Sequence, residues 1–187
     1  MGKLIAFTSI SLDGYFTDAH GDMGWAHRSD PEWDGFVAGN ARHDGMLLFG
    51  RVTYEQMASF WPTPAARQMA PDVAKGMTRA SKVVFSRSLK KAAWSNTRLV
   101  GDAMLDTVRA LKRDTAQDLV VLGSGSIVSQ LSQENLVDEY QTVLVPIVLG
   151  SGRTLFEGLD HRQPLQLTQC RTYSNGNVVM WHKRSPT

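Results

Sequence analysis

The stretch DLVVLGSGSIVSQL constrains the fold more than any other part of the chain. Four apolar residues, 119–122, run straight into Gly-Ser-Gly-Ser, and Ile127, Val128 and Leu131 follow at helical spacing. This is a strand, a tight small-residue turn and a helix with almost no chain between them. Strands that alternate with helices in this way build a largely parallel sheet, covered on both faces.

The same alternation recurs along the chain. Residues 3–12 are β-rich and apolar, and a glycine-rich loop through Gly14, Gly21 and Gly24 follows. Residues 31–42 read as a helix, with Asp30 as its cap and Pro31 at its first position. A short strand at 46–49 precedes a short helix at 53–60, where Thr53 and Gln56 have the capping-box spacing. Residues 61–71 contain three prolines and read as loop. A strand at 83–85 comes next, then an amphipathic helix at 102–113 with Met104, Leu105, Val108 and Leu111 on one face. Strands at 140–148 and 165–173 follow. Asn175-Gly176 is a hairpin turn that returns a strand at 178–181. The expected fold is α/β: one domain over residues 1–187, with helices on both faces of a mostly parallel twisted sheet and a C-terminal antiparallel hairpin.

Composition sets limits on function. Among 187 residues, 42% are hydrophobic and 20% charged, an ordinary globular balance, and the formal charge of +2 is too even for a nucleic-acid protein. Cys170 is the single cysteine, which excludes an intrachain disulfide and fits a reduced, cytoplasmic setting. The opening residues lack the pattern of a secretory signal, and no run reaches the ~18 apolar residues of a membrane span. His20, His27, His43, His161 and His182 are scattered without ligand spacing, so no metal site is expected. No nucleophile-elbow pattern suggests a hydrolase.

Three strand exits carry the chemistry. In GMLLFGRVTYEQM, Gly50 lets a ligand approach the backbone, Arg51 adds a charge, and Thr53 stands where a helix begins. In KVVFSRS, Ser86 and Arg87 offer a hydroxyl and a planar fork of donors that suit a phosphate monoester. In LGSGS, Gly123, Ser124, Gly125 and Ser126 open a helix as a pyrophosphate cradle does, although Val128 stands where the dinucleotide fingerprint has its third glycine. Each exit alone also reads as an ordinary turn. Ligands of open parallel sheets bind outside the carboxyl ends of the strands, so together the exits favour a phosphate-rich cofactor, NADP over NAD.

In this order the motifs resemble the dihydrofolate reductase-like superfamily, and within it the RibD C-terminal domain family. The landmarks are Ser11-Leu12-Asp13-Gly14, Gly50-Arg51-Val52-Thr53-Tyr54-Glu55, Ser86-Arg87, Gly123 to Ser126, and the run from Pro146 to Phe156. The resemblance implies NADPH binding, with Arg51 and Thr53 near the phosphates and Ser86 and Arg87 at the 2′-phosphate. It sets the Ser9 backbone at the nicotinamide carboxamide, and the segment from Asp13 through Gly14 to Phe16 at the nicotinamide ribose. It also implies a homodimer. The family's bifunctional riboflavin enzyme carries a deaminase domain that these 187 residues do not contain.

The reaction such a chain would perform is reduction of a pteridine- or pyrimidine-like molecule, resembling the ribosylamino-pyrimidine step of riboflavin biosynthesis or the folate reductases. Hydride arrival makes a C=N or C=O more basic, so a nearby acid helps. Asp13, Asp30, Glu32 and Asp34 are the candidates by position, with Asp13 and Glu32 taken as the catalytic pair. Asp30 and Asp34 flank Glu32 and are further substrate contacts, although acids in a first turn also simply favour the helix dipole. Trp25 can stack on a planar heterocycle or pack, and Arg153 can hold a substrate phosphate or be solvated. The competing reading is a non-catalytic NADP(H)-binding or ligand-sensing module on the same fold.

Overall fold

The computed structural model describes residues 2–42 and 44–185; His43 lies outside them. Ten strands and six α-helices are described. They are β1 (Leu4–Ser11), β2 (Tyr15–Thr17), α1 (Pro31–Arg42), β3 (Met46–Gly50), α2 (Arg51–Phe60), α3 (Pro64–Met69), α4 (Pro71–Arg79), β4 (Lys82–Phe85) and β5 (Thr97–Val100), followed by α5 (Met104–Asp114), β6 (Leu119–Leu122), α6 (Gly125–Gln133), β7 (Glu139–Val145), β8 (Arg153–Thr154), β9 (Leu165–Thr172) and β10 (Val178–Arg184). A single 3-10 turn, Gly24–Ala26, lies between β2 and α1.

Eight strands form one sheet in the order β5-β4-β3-β6-β1-β7-β10-β9. The first six are parallel, and the β9–β10 hairpin adds the antiparallel edge. The expected α/β architecture is therefore present. Alternate side chains go to opposite faces of the sheet. Leu48, Val83 and Phe85 join one cluster with Val108 of α5 and Val128 and Leu131 of α6. Phe49 and Val84 join another with Tyr54 of α2 and Val73 and Met77 of α4. Trp33 of α1 packs on Val143, Val145, Tyr173 and Val179.

Proline and threonine take different local roles from those expected. The segment 61–71 is not loop: Pro64 and Pro71 each open a helix, at the position where a missing N–H costs nothing. Thr63 caps α3 by accepting the Ala66 N–H at 3.2 Å. Thr53 is no cap, because α2 begins at Arg51 with Gly50 as its N-cap. Thr53 is instead buried on the inner face of that helix. The helix expected from residue 102 begins at Met104 with Ala103 as N-cap, which leaves Asp102 outside it. The strand β5 and the small β2–β8 sheet carry little local signal, whereas α4 has Val73, Ala74 and Met77 at helical spacing behind the Pro71 that opens it.

Lys82, at the start of β4, is 1% exposed. Its ammonium donates to the carbonyls of Thr78 (3.2 Å) and Ala80 (2.6 Å) and lies 4.5 Å from the Trp94 ring centroid. Burial pushes its pKa down from 10.5 to about 8. Between those values the unfolded chain holds more protons than the folded one, so stability rises with pH through that window, by on the order of 3 kcal/mol when complete. Urea midpoints should climb from pH 8 to 10 in the wild type relative to Lys82→Met, where the burial-raised Tyr140 and Tyr173 leave a curve that only declines as pH nears 10; parallel curves would refute the assignment.

Candidate active site

Because β4, β3, β6 and β1 are adjacent and parallel, their carboxyl ends share one edge of the sheet. Ser86, Gly50, Gly123 and Ser11 therefore follow one another along that edge, and all three predicted phosphate exits are neighbours. The middle two, at Gly50 and Gly123, are linked by the hydrogen bonds of one side chain. Gly123 (φ 56) and Ser124 (φ 59) are both left-handed, a conformation that a non-glycine residue adopts at a cost of about 1 kcal/mol. It turns the Ser124 hydroxyl back across the edge. There it accepts the Gly50 N–H at 2.9 Å and donates to Thr53 Oγ1 at 2.9 Å.

This staple brings the starts of α2 and α6 together. Neither helix has a side chain capping its first turn, and neither carries an acid there. Two partial positive charges thus face the same edge uncompensated, the electrostatic requirement of a pyrophosphate site. Behind the turn, Gly125 lies against Phe16: a Cβ at residue 125 would stand 2.4 Å from two ring carbons. Phe16, placed beside the nicotinamide ribose by the family resemblance, is 5% exposed and belongs to the core, where its ring supports the turn from beneath.

The flanking cations have partners. Arg51 pairs with Glu55 at 2.7 Å, one helical turn on, with both half-exposed. Arg87 Nε pairs with Asp102 at 2.6 Å. Ser86 Oγ accepts the N–H groups of Ser88 and Leu89, which leaves its own proton to donate. Arg153 pairs with Glu157 at 3.4 Å, and its guanidinium carbon is 5.9 Å from the Phe16 centroid. It therefore sits on the same wall as the start of α6. Ser9 stands on β1 opposite Val143, and Gly14 (φ 89) has open space where a Cβ would point.

The acids are committed more firmly than sequence suggests. Asp13 accepts the Ser11 hydroxyl at 2.6 Å and the N–H groups of Leu149 (3.1 Å) and Gly150 (2.7 Å), clamping two loops together. The Ser11 hydrogen bond leads the causes that hold its pKa below the usual carboxylate value. It therefore stays ionised at neutral pH and is a poor proton donor. Asp30 caps α1 through the N–H groups of Glu32 and Trp33, as expected. It also grips the β9–β10 turn through Ser174 and Asn175, and the Trp33 N–H is the largest cause of its lowered pKa. Glu32 Oε1 meets Arg171 of β9 at 2.9 Å, and Asp34 accepts the Ser29 hydroxyl at 2.7 Å. Trp25 donates its indole N–H to the Asp22 carbonyl and packs at the margin of the Trp33 cluster.

A cavity of about 420 Å³ lies elsewhere, between β5 and α5, lined by Arg98, Asp106, Thr107 and Leu111. It holds none of the strand exits. The candidate site is the open sheet edge.

The family model for the RibD C-terminal domain matches residues 2–179. The chain belongs to this family. The Bacillus subtilis (strain 168) protein YyaP is 26% identical over 181 residues, 96% of this chain and 94% of that one. A putative riboflavin biosynthesis protein from Shewanella sp. PV-4 superposes with a TM-score of 0.76 at 24% identity, covering 98% of this chain and 99% of the other. Dihydrofolate reductase from Enterococcus faecalis, solved with NADP(H), gives 0.63 at 14% identity over 99% and 98% of the two chains. This RibD C-terminal domain family member thus has the dihydrofolate reductase-like fold, a reductase-like architecture. No described helix is long and apolar enough to cross a membrane.

Proposed function

We propose that this RibD C-terminal domain family member is an NADPH-dependent reductase of a small pteridine- or pyrimidine-like heterocycle. The observation that carries the reading is the pair of uncapped helix starts, α2 and α6, stapled by Ser124 and flanked by Arg51 and Arg87. The left-handed Gly123–Ser124 turn, with no side chain on its glycine, fits a phosphate cradle.

When bound, NADPH supplies the hydride. The amides from Gly123 to Ser126 and the start of α2 hold its phosphates. Ser86 and Arg87 hold the 2′-phosphate, Ser9 the carboxamide, and Gly14 leaves room for the ribose. Asp13 fixes the loop that carries Gly150 and Arg153, and Arg153 meets the anionic end of the substrate. Glu32 keeps Oε2 as an acceptor for a ring N–H. Asp13 and Asp30 are held as carboxylates by their protein donors, so the proton that follows the hydride would come from solvent water. The same proposal sets the chain in the cytoplasm, with Cys170 exposed and reduced. It includes a homodimer, for which β9, exposed along all eight residues of the outer strand, offers an open edge.

Thermal unfolding tests the cofactor directly. At a hundred times its Kd, NADPH should stabilise the fold by about 2.7 kcal/mol. For a chain of this size that is roughly 5–10 °C in Tm, with a smaller shift from NADH. No shift from either nucleotide would remove the reading. The engagement of all four acids by protein partners favours one alternative, a binding module without turnover. NADPH binding with no oxidation across a panel of pterins and aminopyrimidines would decide for it.

A further inference from the structure

We propose that Asp102 sets how strongly this protein distinguishes NADPH from NADH, an inference that rests on the open edge being the cofactor site. The strand ends that carry Arg87 and Asp102 are adjacent, because the Ser86 N–H donates to the Val100 carbonyl at 2.9 Å where β4 and β5 finish. Gly101 separates Val100 from Asp102, with open space where its Cβ would be.

Asp102 does not do the work its position suggests. An aspartate at the start of a helix ordinarily caps it, yet the N-cap of α5 is Ala103, with no side-chain cap bond. The carboxylate turns the other way and meets Arg87 Nε at 2.6 Å. Both side chains are more than four-fifths exposed, so the pair adds little to stability and is open to competition. Its consequence falls on the ligand. Arg87 keeps its terminal NH₂ groups for a 2′-phosphate, but that dianion arrives beside a fixed negative charge. A ribose 2′-hydroxyl at the same place instead finds an acceptor, the arrangement that favours NAD in dinucleotide-binding sites. Asp102 thus penalises the phosphate and rewards the hydroxyl, and it narrows the preference that Ser86 and Arg87 create.

Isothermal titration of NADPH and NADH against the full chain tests this with Asp102→Asn and Asp102→Ala, without reference to turnover. Each variant should bind NADPH roughly fivefold more tightly, the size of one like-charge contact at a solvated surface, and NADH no better than the wild type. The gain should shrink as salt rises from 0.05 to about 0.3 M. Equal ligand-free melting temperatures would show that the substitutions act on the ligand and not on the fold. An unchanged ratio of the two dissociation constants in both variants, with NADPH still bound, would overturn the role of Asp102 alone. If neither nucleotide bound the wild type, the cofactor reading would fall with it.

Discussion

Gly125→Ala should lower the Tm of the ligand-free chain by about 4–8 °C in scanning calorimetry. Alanine is ordinarily the better helix former, by roughly 1 kcal/mol. Here its methyl would occupy the space of the Phe16 ring, 2.4 Å from two carbons. Phe16 is packed in the main core with Ile127 and Val128 and is 5% exposed. Overpacking of this kind costs about 1–3 kcal/mol, and a chain of this length loses roughly 2–4 °C per kcal/mol. Two companions separate packing from propensity. Gly35 on α1 meets nothing within 4 Å, so Gly35→Ala should leave stability unchanged or raise it. Adding Phe16→Leu to Gly125→Ala should recover part of the loss, a coupling of the kind that a double-mutant cycle measures. A Tm within 1 °C of wild type for Gly125→Ala would show that the turn is not held from beneath.

Arg87→Glu should weaken NADPH binding by about a hundredfold while changing NADH affinity by less than about threefold. Under the proposed cofactor reading the substitution removes a charge-assisted contact to the 2′-phosphate, typically about 1.5–3 kcal/mol, and it sets a second carboxylate beside Asp102. The broken surface pair contributes little to folding, so unfolding curves should barely move. The two ligands differ only at the 2′ position, which makes the affinity ratio the informative quantity. Equal losses for both nucleotides would place Arg87 at some other part of the cofactor.

Much of the fold was legible because its signals are short-range. The apolar runs at 46–50 and 119–122, the Asp30 cap, the Pro31 start and the Asn175-Gly176 turn each act within a few residues. Pro64 and Pro71 also act locally, yet the same residue both breaks helices and opens them, and only the following turn distinguishes the two. The strand β5 is four residues long with a single buried side chain, too little pattern to stand out.

The site divides along the same line. From sequence alone came the residues at the strand exits, because glycine, serine and arginine after an apolar run have local consequences. Their duties depended on partners far along the chain. Asp13 meets Gly150, 137 residues away, and Asp30 meets Asn175, 145 away. Ser124 reaches Thr53 across 71 residues and became a staple between two strand exits. Asp102 reads from sequence only as the start of a helix, and the pairing of β4 with β5 brings it to Arg87. Local chemistry determined which groups stand at the edge. The order of strands in the sheet, which no single segment encodes, decided which of those groups are spent on one another and which are left to meet a ligand.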